Sequence, residues 1–312
     1  MTRRTFLQTG TAAAAAAACG CITARRVPSA VIDTHVHFYD PARPSGVSWP
    51  PATDALLYRT TLPANYRALP SPRPANGVIA VEASFVPEDN QWLLDLAERE
   101  PLIVGVVGNL RPDDPAFDSL LARFAKNPLF LGIRTREVSL EQGLADPVVV
   151  RNLRRVAQLG LSFDVHTPPA WSAHAARLAQ AVPDLRLIVN HVAGAAVTGS
   201  APDAAWLRTI DALAPHPQIY MKVSGLVEGT RRTAGDAPSD PAYYQPVLDA
   251  LWERLGPNRL IYGSDWPVSA RYAPLATVEA IALDYFTSKG PRALDKVFRT
   301  NACAAYGCKL RG

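Results

Sequence analysis

The sequence lacks several features that would indicate particular classes of protein. Its 32 basic and 28 acidic side chains are mixed along the chain and form no clustered basic face, so we exclude nucleic acid as a partner. Cysteine is scarce, with four residues. The N-terminal apolar stretch is too short for a membrane-spanning helix. With 48% hydrophobic residues, the composition is that of a folded globular chain with a sizeable core.

The N-terminus resembles an export signal. Arg3 and Arg4 precede a weakly apolar stretch and an alanine run that ends near Cys19. This order is typical of the twin-arginine signal, which carries folded proteins across a bacterial inner membrane. An Ala-rich helix with a basic start is the alternative. We therefore expect residues 1–21 to be an export signal, the twin-arginine export machinery to be a partner, and the mature protein to be periplasmic or membrane-anchored.

The four cysteines fall at the two ends of the chain. Small residues precede Cys19 and Cys21, as in the lipobox of bacterial lipoproteins, although the usual leucine is absent three positions upstream of either. Lipidation of one of them would tether the protein to a membrane. Cys303 and Cys308 lie in helical sequence at a spacing that favours two buried thiols over a metal pair. A disulfide between them requires the last helical turn to unwind at Gly307.

From residue 30 onward, short β-branched apolar runs alternate with segments of helical spacing. The apolar runs are 30–37, 77–83, 102–110, 129–136, 161–167, 185–192, 219–226 and 259–268, and the helical segments are 90–100, 115–126, 147–159, 170–181, 204–213, 243–255, 275–286 and 291–306. This alternation predicts an α/β fold, a (β/α)₈ TIM barrel forming a single domain over residues 30–308. A doubly wound open sheet is the alternative, but no Gly-rich phosphate turn follows the first run.

Polar residues stand where several predicted strands end, and in a TIM barrel the reactive groups gather at these ends. The first run ends in His35 and His37, which the alternation of a strand places on one face. The fifth, sixth and eighth runs end near His166, His191 and Asp265. A single histidine at a strand end is usually structural, but four of the six histidines share this position. We therefore interpret the set as an active site.

These motifs resemble the amidohydrolase superfamily, and more narrowly its amidohydrolase-related branch. The segments that carry the resemblance are residues 32–41 (IDTHVHFYDP), 132–134 (GIR), 190–194 (NHVAG), 222–225 (KVSG) and 262–267 (YGSDWP). The branch contains lactonases that act on sugar-acid lactones and on 2-pyrone-4,6-dicarboxylate. The resemblance covers residues 30–308 and implies a hydrolase in which water attacks a polarised carbonyl.

The resemblance also implies catalytic roles. Asp265 is the expected general base. His35 and His37, together with His166 and Asp265, are the expected ligands of one divalent cation, Zn²⁺ or a similar ion. In the alternative without a metal, His191 and the imidazole pair donate hydrogen bonds to the developing oxyanion.

Four further residues are expected to contact the substrate. Arg134 and Lys222, at the ends of the fourth and seventh strands, suit an acidic or sugar-like small molecule. Glu82 and Trp266 complete this group, with an ion pair as the alternative for both Lys222 and Glu82. Two-metal relatives have a bridging Lys or Glu where Arg134 stands. An arginine cannot bridge two cations, so we expect no binuclear centre.

The favoured function is a hydrolase that opens a lactone or related cyclic ester of a small sugar acid or dicarboxylate. A metal-dependent decarboxylase of the same superfamily is the nearest alternative. An exported protein that binds a sugar acid without turnover is an alternative of another class. A binding protein has little use for a general base beside metal ligands, which favours the lactonase.

Overall fold

Eight parallel strands form a barrel. The computed structural model describes residues 28–135, 140–166 and 169–311, and its strands follow one another in chain order. They are β1 (Ile32–Val36), β2 (Gly77–Val81), β3 (Ile103–Asn109), β4 (Phe130–Arg134), β5 (Ser162–Val165), β6 (Arg186–Val189), β7 (Ile219–Val223) and β8 (Leu260–Tyr262). Val36 pairs with Trp266, beyond β8, and the His37 amide donates to the Trp266 carbonyl at 2.8 Å. These contacts bring the last strand back to the first. The predicted TIM barrel is confirmed.

Helices follow the strands around the barrel. They are α1 (Pro63–Arg67), α2 (Glu88–Arg99), α3 (Phe117–Phe124), α4 (Leu140–Ala145), α5 (Pro147–Gln158), α6 (Pro169–Ala181), α7 (Ala204–Leu213), α8 (Gln245–Leu255), α9 (Leu275–Ser288), α10 (Pro291–Asp295) and α11 (Asn301–Tyr306). The predicted helix 291–306 consists of α10, a π-helical turn at Lys296–Thr300 and α11. The sequence did not predict α1 and α4, because helices of five and six residues are too short to show a helical period.

The hydrophobic core has two parts. The larger part lies between the strands and the helices. The smaller part joins residues of strands that are far apart in the sheet, including Ile32, Leu131 and Ile188, with Tyr306 of α11. Side chains of such distant strands meet only inside a closed barrel. The segment after α11 continues to the start of β3, where Arg311 donates to the Ile103 carbonyl at 3.0 Å, so the end of the chain packs away from the carboxyl ends of the strands.

The two C-terminal cysteines are free thiols. Cys308 is buried, as predicted, whereas Cys303 is half-buried, so the prediction of two buried thiols is wrong for Cys303. The helix α11 ends at Tyr306, and Gly307 has a left-handed φ of 71°. The chain therefore leaves the helix at the glycine where the disulfide alternative required it to unwind.

The predicted export signal, residues 1–21, lies outside the described residues, as do Cys19 and Cys21. Residues 136 and 167, the last of the fourth and fifth predicted runs, lie outside them too. In the part of the chain that the structure describes, no helix has the length and apolarity to cross a membrane. Export and lipidation therefore remain predictions.

Candidate active site

The histidines of β1 face the aspartate that follows β8. His35 is fully buried, and His37 is nearly so. In the neutral ring of His37, Nδ1 carries the proton, because it lies 3.0 Å from the Val81 carbonyl oxygen, which only accepts hydrogen bonds. His37 Nε2 therefore keeps its lone pair and lies 3.4 Å from Asp265 Oδ1. His35 Nε2 lies at the same distance, 3.4 Å, from that oxygen.

Backbone contacts with β1 hold Asp265 in this position. Its amide donates to the His35 carbonyl at 2.9 Å, and the preceding Ser264 amide donates to Asp33 Oδ1 at 2.8 Å. Asp265 has a left-handed φ of 58°. This conformation is uncommon outside glycine, and such strained residues cluster at functional sites. The turn gives Asp265 its place beside both imidazoles.

His191 joins the same cluster from the end of β6. Residues 191–193 all have positive φ, and Gly225 makes room for this turn, because a Cβ there would lie 2.5 Å from the His191 Cβ. The hydroxyl of Ser224 lies 3.0 Å from His191 Nδ1. That nitrogen is 3.9 Å from Asp265 Oδ2. The two motifs 190–194 and 222–225 thus form one structural unit around His191.

Burial determines the charge states of the cluster. Burial, with a contribution from Lys222, lowers the pKa of His35 well below its usual value. Burial also lowers the pKa of His191 to about 4, although the Asp265 carboxylate opposes this shift. Burial raises the pKa of Asp265, but the neighbouring His191 and His37 imidazoles outweigh this effect and lower it to about 2. At neutral pH, His35 and His191 are therefore neutral and Asp265 is ionised.

Two buried ion pairs lie against His35. Arg134 donates to Glu82 Oε1 at 2.7 Å and to the Glu82 carbonyl at 2.9 Å. Lys222 donates to Asp164 Oδ2 at 2.6 Å. The ion-pair alternative for Lys222 and Glu82 is thus what the structure shows. All four side chains are almost completely buried, and a substrate contact by Arg134, Lys222 or Glu82 stays a prediction.

The cluster fits one divalent cation. Ligand atoms of His35, His191 and Asp265 lie within 4.8 Å of one another. In the neutral ring of His37, whose Nδ1 proton goes to the Val81 carbonyl, Nε2 has a lone pair 3.4 Å from Asp265 Oδ1 and can serve the same ion. Imidazole and carboxylate are ligands that Zn²⁺ accepts. The grouped ligands contain the predicted His35 and Asp265 and add His191, while the ligand roles of His37 and His166 stay predictions.

A cavity of about 230 Å³ opens beside this cluster. It is lined by His191, Gly194, Ala195, Gly225, Glu228, Gly229, Arg231 and Asp265. Glu228 was not predicted from the sequence, although its position shortly after the KVSG motif at the end of β7 was a signal. Burial and the Asp265 carboxylate raise the pKa of Glu228 well above its usual value. The cavity therefore has carboxyl groups of two kinds, an ionised Asp265 and a Glu228 that favours its neutral form.

Two other predicted site residues are outside the group of possible metal ligands. His166 is half-buried at the end of β5 and is not among the grouped ligands. Trp266 is 3% exposed and packs in the hydrophobic core, with its ring 5.5 Å from that of Tyr66 and 6.4 Å from that of Phe38. This packing favours a structural role for Trp266 over the predicted substrate contact.

The family model described as amidohydrolase matches residues 32–308, which include all eight strands. The chain belongs to the amidohydrolase family. The predicted membership is confirmed, and the match includes each of the histidines and the aspartate of the site.

The chain is also similar to individual proteins of this kind. The L-fucono-1,5-lactonase of Burkholderia ambifaria is 32% identical over 286 residues, which cover 88% of this chain and 94% of that protein. A crystal structure of an amidohydrolase from Burkholderia multivorans with bound HEPES has a TM-score of 0.80 and 25% identity, over 90% of this chain and 100% of that one. A crystal structure from the same organism with bound zinc has a TM-score of 0.79 and 24% identity, over 90% and 100%.

Replacing Arg134 with methionine should lower the free energy of unfolding by about 3–5 kcal/mol, because Glu82 would stay buried without its cation. Urea unfolding measures this loss. The control is Arg67→Met, which removes an exposed pair with Glu100 and should cost at most about 1 kcal/mol. The double variant Arg134→Met/Glu82→Gln should recover part of the loss. A loss in Arg134→Met no larger than in the control would contradict this role.

Proposed function

We propose that the protein hydrolyses the lactone of a small sugar acid by attack of water on the ring carbonyl. The observation that carries this proposal is the ionised Asp265 carboxylate, held 3.4 Å from two imidazole nitrogens at the wall of a cavity. The similarity to L-fucono-1,5-lactonase, which extends over 94% of that protein, supports a sugar-acid lactone as the substrate class.

In the proposed reaction, Asp265 accepts a proton from the attacking water and returns it to the ring oxygen as the C–O bond breaks. A carboxylate with a pKa of about 2 is a weak base towards ordinary water, so the reaction needs an acidified water molecule. A divalent cation on His35, His191 and Asp265, when bound, supplies this by lowering the pKa of water to about 7. Asp265 is thus a weak base that could act on a water molecule whose pKa a cation has lowered.

The hydrogen bonds of His35 and His37 also affect the alternative mechanism, in which no metal ion takes part. That alternative requires the imidazole pair to donate hydrogen bonds to the oxyanion. Neutral His37 uses its one proton on the Val81 carbonyl, whereas His35 has a cation 3.3 Å from each ring nitrogen, Arg134 at Nε2 and Lys222 at Nδ1, so either nitrogen can carry its proton. In the neutral state, His37 therefore has no Nε2 proton to offer near Asp265, which leaves His35 as the one possible donor of the pair. This arrangement favours a cation-dependent reaction.

Replacing Asp265 with asparagine should lower kcat/KM for lactone opening by about 10²–10⁴-fold, because the amide cannot accept the proton of water. Proton release from L-fucono-1,5-lactone in weak buffer measures the rate. The control is Asp211→Asn on α7, a position whose side chain is 58% exposed. Equal rates in both variants would remove Asp265 as the base, and no proton release by the wild type from any sugar-acid lactone would contradict the proposed function.

Removing bound metal with a chelator should abolish most of the lactone opening, and Zn²⁺ or a similar ion should restore it. Elemental analysis should find about one divalent ion per wild-type chain, since the grouped ligands form one site. Binding of the ion should also raise the thermal midpoint of the wild type, and this increase should be smaller in His191→Ala. Full activity in metal-free protein would assign the chemistry to the side chains alone.

We also propose that residues 1–21 direct export by the twin-arginine route. The paired Arg3 and Arg4 ahead of an alanine run support this proposal. Changing both to lysine should hold the protein in the cytoplasm of a bacterial host, as measured by cell fractionation. Arg25→Lys/Arg26→Lys is the matched control, and equal export of the two variants would contradict the proposal. Recovery of the wild type in the membrane fraction would indicate lipidation.

A further inference from the structure

A short turn after β7 brings a carboxyl group to the active-site cavity. Residues Glu228–Thr230 form a single 3₁₀ turn. The Gly229 amide donates to the Gly225 carbonyl at 2.9 Å, and the Val197 amide donates to the Gly229 carbonyl at 2.9 Å. A Cβ at Gly229 would lie 2.7 Å from the Ala195 carbonyl oxygen, so this close approach requires glycine. The backbone beside Glu228 is thus held on both sides.

No group of the described residues donates a hydrogen bond to the carboxyl of Glu228. Both of its oxygens are buried, the described residues offer neither of them a donor, and the Asp265 carboxylate is the group that can accept a hydrogen bond from it. The charged group beside it is the Asp265 carboxylate, which is ionised and has no proton to donate. If Glu228 is protonated, one oxygen has a proton for Asp265, but the other still lacks a donor. Other buried side-chain atoms of the described residues also lack a partner, those of Asn190 among them, but Glu228 is the one of these residues that lines the cavity, so its carboxyl oxygen indicates a partner that enters there.

We propose that Glu228 selects the substrate by forming a hydrogen bond with a hydroxyl on the lactone ring. This inference rests on the proposed lactone hydrolysis and names a determinant of its specificity. A hydroxyl can donate to the free oxygen in either protonation state of the carboxyl. A ring without that hydroxyl leaves the buried carboxyl unpaired, and such sites reject the deficient analogue strongly. Glu228 and Asp265 line the same cavity, so one bound ring can reach both.

Two lactones and three variants test this inference. The probes are L-fucono-1,5-lactone and δ-valerolactone, a six-membered lactone without hydroxyls. The variants are Glu228→Met, Glu228→Gln and the control Glu253→Met on α8, whose side chain is 71% exposed. In Glu228→Met, kcat/KM should fall about 10- to 100-fold more for the hydroxylated lactone than for δ-valerolactone. Glu228→Gln keeps an acceptor and should show a smaller change, whereas Glu253→Met should keep the wild-type ratio.

The outcomes separate this inference from the proposed function. A wild type that opens no sugar-acid lactone overturns the proposed function and this inference with it. A wild type that opens the hydroxylated lactone, with equal losses for both probes in each Glu228 variant, overturns only the selection by Glu228. Thermal midpoints check folding. Removal of a buried unpaired carboxyl should leave the midpoint unchanged or raise it, and if Glu228→Met does not fold, Glu228→Gln is the deciding variant.

Discussion

The arrangement of the site depends on the hydrogen bonds that the buried carboxylate of Asp33 accepts. Its Oδ1 atom accepts hydrogen bonds from the amides of His35 at 3.1 Å and Ser264 at 2.8 Å, and its Oδ2 atom accepts one from the Tyr66 hydroxyl at 2.8 Å. One buried side chain thus joins β1, the segment after β8 and α1. Asp265 follows Ser264 directly and bonds to the His35 carbonyl, so Asp33 determines how far the base lies from the imidazoles.

Paired charges next to the site orient His35 before any ligand binds. Arg134 Nη1 lies 3.3 Å from one ring nitrogen, and Lys222 Nζ lies 3.3 Å from the other. Their partners Glu82 and Asp164 offset the cost of burying these cations, which would be several kcal/mol if either were alone. Two cations beside one buried imidazole oppose its protonation, in agreement with its lowered pKa. His35 is therefore a neutral ring of fixed orientation.

The strands and the strand-end histidines could be predicted, because apolar runs and residue positions are local properties of a sequence. The choice between an ion pair and a substrate contact for Arg134 and Lys222 could not be predicted, because it depends on acids of other strands. Asp164 comes from β5 and meets Lys222 of β7 only after the barrel closes. Glu228 was missed for a related reason. It lies in an irregular turn whose place depends on the close approach of Gly229 to Ala195, and such an approach has no periodic signal.

Several energetically unfavourable features lie together at the mouth of the barrel. His191 and Asp265 have left-handed backbone conformations there, and the buried carboxyl oxygens of Glu228 have no donor among the described residues. Strain of this kind persists only where the surrounding structure over-determines it, and here the Asp33 contacts and the two ion pairs provide that support. A cation and a hydroxylated ring would satisfy the groups that folding leaves unpaired. Interactions that the folded chain does not make at this site would thus form when a ligand binds, and they would contribute to its affinity.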